Sequence, residues 1–61
     1  MTHDDFRAAR LRLGMTQATL AEALGYSHAH VVSAIETGNR NPGPAAIKLL
    51  ERLLREREAE E

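Results

Sequence analysis

The side chains with the widest chemical range are concentrated in one stretch, GYSHAHVVSAIETG, which covers residues 25–38. Histidine can ligate a metal, transfer a proton or form hydrogen bonds, and His28 and His30 stand two positions apart. On a helix such positions diverge, and no third ligand is near, so we expect no metal site. Ser27 and Ser33 lack the histidine and carboxylate that would activate a hydroxyl nucleophile. We therefore expect neither catalysis nor a cofactor.

The same stretch contains one acidic residue and no Arg or Lys, and the whole chain is almost neutral. Among its 61 residues, 8 are Lys or Arg and 9 are Asp or Glu, which gives a net charge of −1. This balance mildly opposes binding to nucleic acid. Any nucleic-acid-binding face must therefore come from the local arrangement of side chains.

The length of the chain indicates one domain, which we place at 1–61. A domain of this size buries only about 60% of the surface that its unfolded chain exposes, so it is marginally stable alone. There is no cysteine to form a disulfide or a thiolate metal site. No apolar run approaches the ~20 residues of a membrane span, and the first residues do not have the pattern of a signal peptide. We expect a cytoplasmic protein with no membrane partner, and its small size favours stabilisation by a second subunit.

The abundance of Ala, Leu, Glu and Arg favours helices over strands. Thr2, followed three residues later by Asp5, is a capping-box signal for a first helix over about 2–13. Gly14 ends that helix. We expect His3 to belong to a disordered terminus. The sequence thus begins with one amphipathic helix.

Capping residues and glycines mark two more helices. Thr16 caps the second helix, and Gly25 ends it. Ser27 is the best cap for a third helix, which continues to about residue 37 and is closed by Gly38. Two short helices joined by a tight turn that contains glycine define a helix-turn-helix, which we place at about 16–37.

A wide apolar stripe runs along the fourth helix, which we expect to begin at Pro44 and to cover about 44–58. At 100° per residue its apolar side chains fill an arc of roughly 160°, whereas a surface helix needs only about 100° to pack on its own core. A very small protein needs every leucine for its core, but the width of the stripe favours contact with a second subunit. We expect this dimer contact at Ile47, Leu50, Leu53 and Leu54.

The segments TQATLAEALGYS and HAHVVSAIETGNRNP resemble the lambda-repressor and Cro-like, or XRE-type, helix-turn-helix family. The resemblance covers about residues 5–54 and implies a compact all-α domain of four to five helices. The tail NPGPAAIKLLERLL is similar to that of small phage, mobile-element and antitoxin-type regulators. The matching residues, in order, are Arg10, Gly14, Thr16, Gln17, Leu20, Ala21, Gly25, Ser27, Val32, Ile35, Glu36, Gly38 and Pro42.

The resemblance implies a structural ion pair between Arg10 on the first helix and Glu36 on the third. Breaking such a partly buried pair is costly even where the intact pair adds little stability. The alternative for Arg10 is a solvated helix charge. Gln17 opens the second helix, where its amide and the free backbone N–H groups can meet a phosphate.

One extra residue lies between Gly25 and Glu36 compared with the usual spacing of the family. On a helical wheel the apolar residues of the third helix face the core, and a helical His28 would project into the same arc. We therefore expect the helix to begin around Ala29, with His28 in a lengthened turn. The outward arc then holds the residues at the positions with which the family reads bases: Ala29, His30, Ser33 and Ala34.

The third helix has no Arg for a bidentate contact with guanine, so it can form only a few hydrogen bonds with base edges. His30 can hydrogen-bond a base edge, and the alanine methyl groups suit contact with the methyl group of thymine. We expect DNA shape to contribute to specificity. Arg40 is the only cation in the loop after the third helix and ranks highest for phosphate affinity. The expected phosphate contacts are Thr16, Gln17, Ser27, His28, Asn39, Arg40 and Asn41.

These expectations converge on a sequence-specific DNA-binding regulator that is not an enzyme, most simply a homodimeric repressor or autorepressor. Its two third helices would enter successive major grooves of a near-palindromic operator in double-stranded DNA. Its regulation would come from its concentration or from a co-encoded protein partner. The competing hypothesis is a protein-interaction module or antitoxin-type subunit that keeps the fold but mainly binds a partner protein through the fourth helix.

Overall fold

Four helices follow one another along residues 1–60, the part of the chain that the computed structural model describes. They are α1 (His3–Arg12), α2 (Gln17–Leu24), α3 (Ala29–Glu36) and α4 (Pro44–Glu60), and no strand occurs in residues 1–60. The all-α prediction is confirmed, with four helices. None of the helices in this range is long and apolar enough to cross a membrane.

The first two helices begin at reciprocal side-chain caps. The hydroxyl of Thr2 accepts a hydrogen bond from the backbone N–H of Asp5 (3.1 Å), whose carboxylate accepts one from the N–H of Thr2 (3.0 Å). Thr16 and Thr19 form the same arrangement at the start of α2. Each of these capping boxes satisfies backbone N–H donors that have no partner within the helix. The starts of both helices therefore follow from short-range sequence.

A glycine in the left-handed conformation ends α2 and starts the turn to α3. Gly25 has φ 82°, which an L side chain adopts only with strain. The chain then folds back so that the N–H of Tyr26 donates to the carbonyl of Ala21 at 2.9 Å. The turn brings α3 against α2, and these two helices make the most extensive helix–helix contact in the described chain.

The start of α3 differs in one respect from the expected one. The helix begins at Ala29, as the wheel indicates, but its N-cap is His28 rather than Ser27. His28 has the extended conformation typical of an N-cap (φ −142°, ψ 147°), yet its side chain makes no capping hydrogen bond. The extra residue of the turn places Ser27 one position too early to cap the helix. Its predicted capping role is wrong.

The core lies where all four helices meet. Apolar side chains of α3 and α4 pack against those of α1 and α2, and five of them (Phe6, Leu20, Val32, Ile35 and Leu50) are almost completely enclosed. Burial of each such side chain contributes about 1.5–3 kcal/mol to folding. The buried core residues are Phe6, Ala9, Leu20, Ala21, Leu24, Val31, Val32, Ile35, Ala46 and Leu50.

The apolar stripe of α4 is divided between this core and the surface. Leu50 is 0% exposed, so the expected contact with a second subunit cannot include it. Ile47, Leu53 and Leu54 are half-buried, and both leucines pack against the core. The large apolar side chain that α4 leaves most exposed is that of Leu49, at 40%. Much of the stripe therefore serves the core of a single copy.

His3 is part of the folded domain, so the expectation of a disordered terminus is wrong. It is the first residue of α1, and its ring lies against Gly38, in the loop after α3. A Cβ on Gly38 would lie 3.5 Å from Nδ1 of His3. Nε2 of His3 is 3.6 Å from the carboxylate of Asp4. The capping box of α1 orders this end and brings His3 onto the loop.

Candidate nucleic-acid interface

The ion pair between Arg10 and Glu36 connects α1 to α3. Nε of Arg10 donates to Oε2 of Glu36 at 2.6 Å, and Nη2 donates to Oε1 at 3.2 Å. Nη1 donates to the carbonyl of Met15, in the loop before α2, at 2.9 Å. The side chains of Arg10 and Glu36 are only 12% and 5% exposed. One guanidinium therefore holds α1, the loop before α2 and α3 in register.

Gln17, the first residue of α2, belongs to the same cluster. Its Nε2 donates to Oε1 of Glu36 at 3.3 Å, in a half-buried position. We expected this amide to meet a phosphate, and the structure shows that one of its two donors is already engaged. The second donor and the carbonyl of the amide remain for another partner. Gln17 thus also ties the start of α2 to α3.

The carboxyl group of Glu36 is held in its ionised form. Burial raises its pKa, but hydrogen bonds from Arg10 and Gln17 and the positive charges of Arg10 and Arg7 outweigh that effect. The pKa of Glu36 consequently lies below its ordinary value of 4.5. Its negative charge is compensated within the cluster and hardly exposed. It therefore contributes little repulsion toward an anion outside.

A shallow cleft of about 220 Å³ opens beside this cluster, between α1, the start of α2 and the outer side of α3. Arg7 is an exposed residue on its wall, close enough for its charge to lower the pKa of Glu36. Sequence reasoning missed Arg7. The available signal was its position one helical turn before Arg10, since residues three apart share a helix face. The cleft is lined by Arg7, Arg10, Gln17, Ser33, Glu36 and Thr37.

The four residues that we expect to read bases share the side of α3 that faces away from the core. His30 is exposed, and Ala29, Ser33 and Ala34 are half-buried. The opposite side of the helix is formed by the buried residues Val31, Val32 and Ile35. The arrangement gives a narrow outward face, with one imidazole and one hydroxyl between two alanine methyl groups.

The rings of His28 and His30 lie together at the start of this face. Their centroids are 5.1 Å apart and the ring planes differ by 13°, so the rings are stacked. The expectation that they diverge is wrong because His28 lies outside the helix, in an extended conformation. Within residues 1–60 no group of three His, Cys, Asp or Glu side chains is arranged to hold a metal ion.

The loop after α3 presents the remaining polar side chains. Asn39, Arg40 and Asn41 are all exposed. The guanidinium carbon of Arg40 lies 5.9 Å from the centre of the Tyr26 ring, within the range of a cation–π contact. Tyr26 comes from the turn between α2 and α3, and sequence reasoning assigned it no role. The contact connects this turn to the loop after α3.

Helix N-termini add backbone donors near these side chains. In α2 the first helical hydrogen bond runs from the N–H of Leu20 to the carbonyl of Thr16, and the Thr16 hydroxyl caps the N–H of Thr19. The N–H groups of Gln17 and Ala18 thus stand outside the helical pattern. Ser27 and His28 are exposed and line a second shallow cleft, of about 440 Å³, together with Glu22.

Acidic side chains are scarce around the outer side of α3 and the loop after it, although Glu22 of α2 lines the cleft at the start of α3. Between Glu22 and Glu51 the chain contains only one carboxylate, that of Glu36, which is covered and paired with Arg10. The other acidic residues occur on α1, on α2 and from residue 51 onward. Although the net charge of the chain is −1, the outer face of α3 and the loop after it carry no uncompensated negative charge.

The comparison with known families agrees with this geometry. A model of the helix-turn-helix family matches residues 6–60, which is nearly the whole chain. The chain therefore belongs to this family, the XRE or lambda-repressor-like helix-turn-helix proteins. These are DNA-binding regulatory proteins and typically not enzymes, so the chain belongs to a class of DNA-binding regulators. No curated protein and no solved structure matches the chain significantly.

Proposed function

We propose that the protein is a sequence-specific transcriptional repressor that binds a palindromic operator as a homodimer, with 1–61 as a single DNA-binding domain. One observation carries this proposal. The outer face of α3 and the following loop present His30, Ser33 and Arg40, while the single carboxylate of this region, Glu36, is covered and paired. A polyanion meets little repulsion from this face itself, in spite of the net charge of the chain. The exposed carboxylate of Glu22 lies beside the start of α3, at the edge of the face.

In this proposal α3 enters the major groove and reads base edges. His30 donates or accepts one hydrogen bond, and the hydroxyl of Ser33 does either. Ala29 and Ala34 bring methyl groups close to the methyl groups of thymine. Because α3 has no arginine for bidentate recognition of guanine, sequence-dependent DNA shape supplies part of the preference.

Phosphate contacts on both sides of α3 would set the register on the duplex. Arg40 is the strongest candidate because it is an exposed cation held beside Tyr26. Arg7 joins the set that the sequence indicated, since it lines the cleft next to Gln17. The proposed phosphate contacts are Arg7, Thr16, Gln17, Ser27, His28, Asn39, Arg40 and Asn41.

A palindromic operator requires a second copy of the chain. Half-sites lie about 34 Å apart, centre to centre, whereas the longest dimension of one copy is 32 Å and each copy has one α3. The exposed side chain of Leu49 and the half-buried Ile47, Leu53 and Leu54 make α4 the proposed contact between copies. Repression would follow when the bound dimer occupies promoter DNA.

The proposal is tested by fluorescence-anisotropy titration of duplex DNA from upstream of the gene, against a shuffled duplex, at 50 and 200 mM salt. We expect tighter binding to the upstream duplex and a loss of affinity with salt of at least tenfold, because bound Lys and Arg release counterions. Absence of binding at low micromolar protein would contradict the proposal. It would favour the competing function, a module that binds a protein partner through α4.

Two substitutions separate the proposed roles of α3 and its loop. Arg40→Ala should weaken binding to both duplexes about equally. It should also reduce the slope of log affinity against log salt by about one for each subunit, or about two for the dimer. His30→Ala should reduce the preference for the upstream duplex by roughly 1–3 kcal/mol. Arg55→Ala, which removes an exposed cation from α4, is the matched control and should change neither quantity. Equal loss on both duplexes for His30→Ala would show that His30 contacts a phosphate instead.

A further inference from the structure

The stacked pair of His28 and His30 depends on an unusual backbone arrangement. Residues two apart on a helix point about 200° away from each other, so their rings do not meet. Here His28 is the N-cap and has an extended backbone, while His30 occupies the first turn of α3. This change of conformation between the two residues brings the ring centroids to 5.1 Å, with planes 13° apart.

The side chain of His28 has no other structural task at this position. An N-cap side chain usually accepts a hydrogen bond from the first turn of its helix, and that of His28 does not. Both histidines are exposed, so burial does not restrict their rotamers. Without a neighbouring contact, the exposed ring of His30 would lose rotamer entropy on binding a base. The ring of His28 is therefore the contact that restricts His30 in the free protein.

We propose that His28 is a positioning residue for base recognition, whose ring holds that of His30 in its reading orientation. This inference rests on the proposed function and goes beyond it, since it changes the main role of His28 from a phosphate contact to a support for another side chain. A phosphate contact needs the ring nitrogens of His28. A positioning residue needs only a flat ring.

Three substitutions distinguish the two roles. His28→Phe keeps a ring that can stack but removes both nitrogens. His28→Gln keeps a hydrogen-bonding group but removes the ring, and His28→Ala removes both. Because His28 is exposed and makes no capping hydrogen bond, we expect all three variants to keep the helical far-ultraviolet circular dichroism spectrum of the wild type.

The first measurement uses the free protein and needs no DNA. Proton NMR should show ring-to-ring nuclear Overhauser effects between residues 28 and 30, and a ring-current shift of the His30 ring protons, in the wild type. We expect both signals to persist in His28→Phe and to disappear in His28→Ala and His28→Gln. Unchanged His30 ring shifts in the alanine variant would overturn the inference.

The second measurement is the ratio of affinities for the upstream and shuffled duplexes. Loss of the supporting ring should reduce this ratio about 2- to 10-fold in His28→Ala and His28→Gln, whereas His28→Phe should stay within about twofold of wild type. In a His30→Ala background, His28→Ala should have no further effect on the ratio. That non-additivity shows that His28 acts through His30.

The outcomes separate this inference from the proposed function. A wild type without any preference for the upstream duplex would overturn both. If the wild type has a preference that His28→Ala retains, only the positioning role is refuted. If His28→Phe weakens binding to both duplexes equally while His28→Gln does not, His28 contacts a phosphate and the inference is wrong.

Discussion

Replacing Arg10 with alanine should remove the main connection between α1 and α3. The substitution deletes three hydrogen bonds, two to the carboxylate of Glu36 and one to the carbonyl of Met15. It leaves a carboxylate whose side chain is 5% exposed with only the amide of Gln17 as a donor. The cost therefore comes mainly from an uncompensated buried charge rather than from the lost attraction.

The expected magnitude follows from this burial. Removing one partner of a buried ion pair costs about 3–5 kcal/mol, and we expect about 3 kcal/mol because the pair retains some contact with solvent. A domain of this length is stable by only about 3–9 kcal/mol. The loss corresponds to a decrease in melting temperature of about 12–24 °C. The variant should also lose DNA affinity, because Glu36 no longer holds α3 in place.

The assay is urea and thermal unfolding followed by circular dichroism, with all variants at the same protein concentration because association affects stability. Arg52→Ala is the matched control, since it breaks an exposed pair with Glu56 on α4 (3.0 Å; side chains 71% and 58% exposed). That control should lose less than about 0.5 kcal/mol. The double variant Arg10→Met, Glu36→Leu should recover most of the loss, because it removes both charges. If Arg10→Ala costs no more than Arg52→Ala, the ion pair is only a surface contact and our account of how α3 is held is refuted.

Four further predictions concern pH, the turn and α4. The pKa of Glu36 in the folded protein lies below its ordinary value of 4.5, so its contribution to stability is complete above that pH and is lost as the pH falls through the folded-state pKa. The urea midpoint should therefore fall more between pH 6 and pH 3 for the wild type than for Glu36→Gln. An equal fall of the two midpoints would contradict this. Gly25→Ala should lower the free energy of unfolding, measured with urea, by about 1–2 kcal/mol. The loss comes from backbone strain alone, since φ is 82° and a Cβ there meets no atom within 4 Å. An unchanged free energy of unfolding would show that the turn relaxes. Leu50→Ala should cost about 2–5 kcal/mol because Leu50 is 0% exposed. Leu49→Asp should instead convert the proposed dimer to monomer in sedimentation velocity without unfolding it, and a persistent dimer would place the interface elsewhere.

The local features of the fold could be predicted from the sequence because each depends on a few neighbouring residues. Thr16 and the glycine at position 25 mark the ends of α2 through hydrogen bonding and a positive φ, both of which are short-range effects. The start of α3 at Ala29 followed from the wheel, since an apolar arc must face the core. Ser27 was a misleading cap signal. Cap preference alone does not show which residue of a lengthened turn takes the extended conformation.

The parts that could not be predicted depend on how the helices pack. A helical wheel gave the width of the stripe on α4, but only packing shows that Leu50 is enclosed while Leu49 is open. The contact between Arg40 and Tyr26 joins a loop to a turn 14 positions earlier, and no local pattern indicates it. The ring stack of His28 required the backbone angles of the turn. For most side chains of this surface the sequence indicated the helix face but not the contacts. The ion pair between Arg10 and Glu36, which the family resemblance implied, is the exception.

We propose that DNA binds the face formed by the start of α2, the outer side of α3 and the following loop. The most direct test is a titration of the ¹⁵N-labelled protein with the preferred duplex, followed by amide NMR. We predict that the largest shifts occur at 16–18, 27–34 and 37–41 and that amides from residue 51 onward change little. Shifts concentrated on α4, with α3 unaffected, would contradict the account.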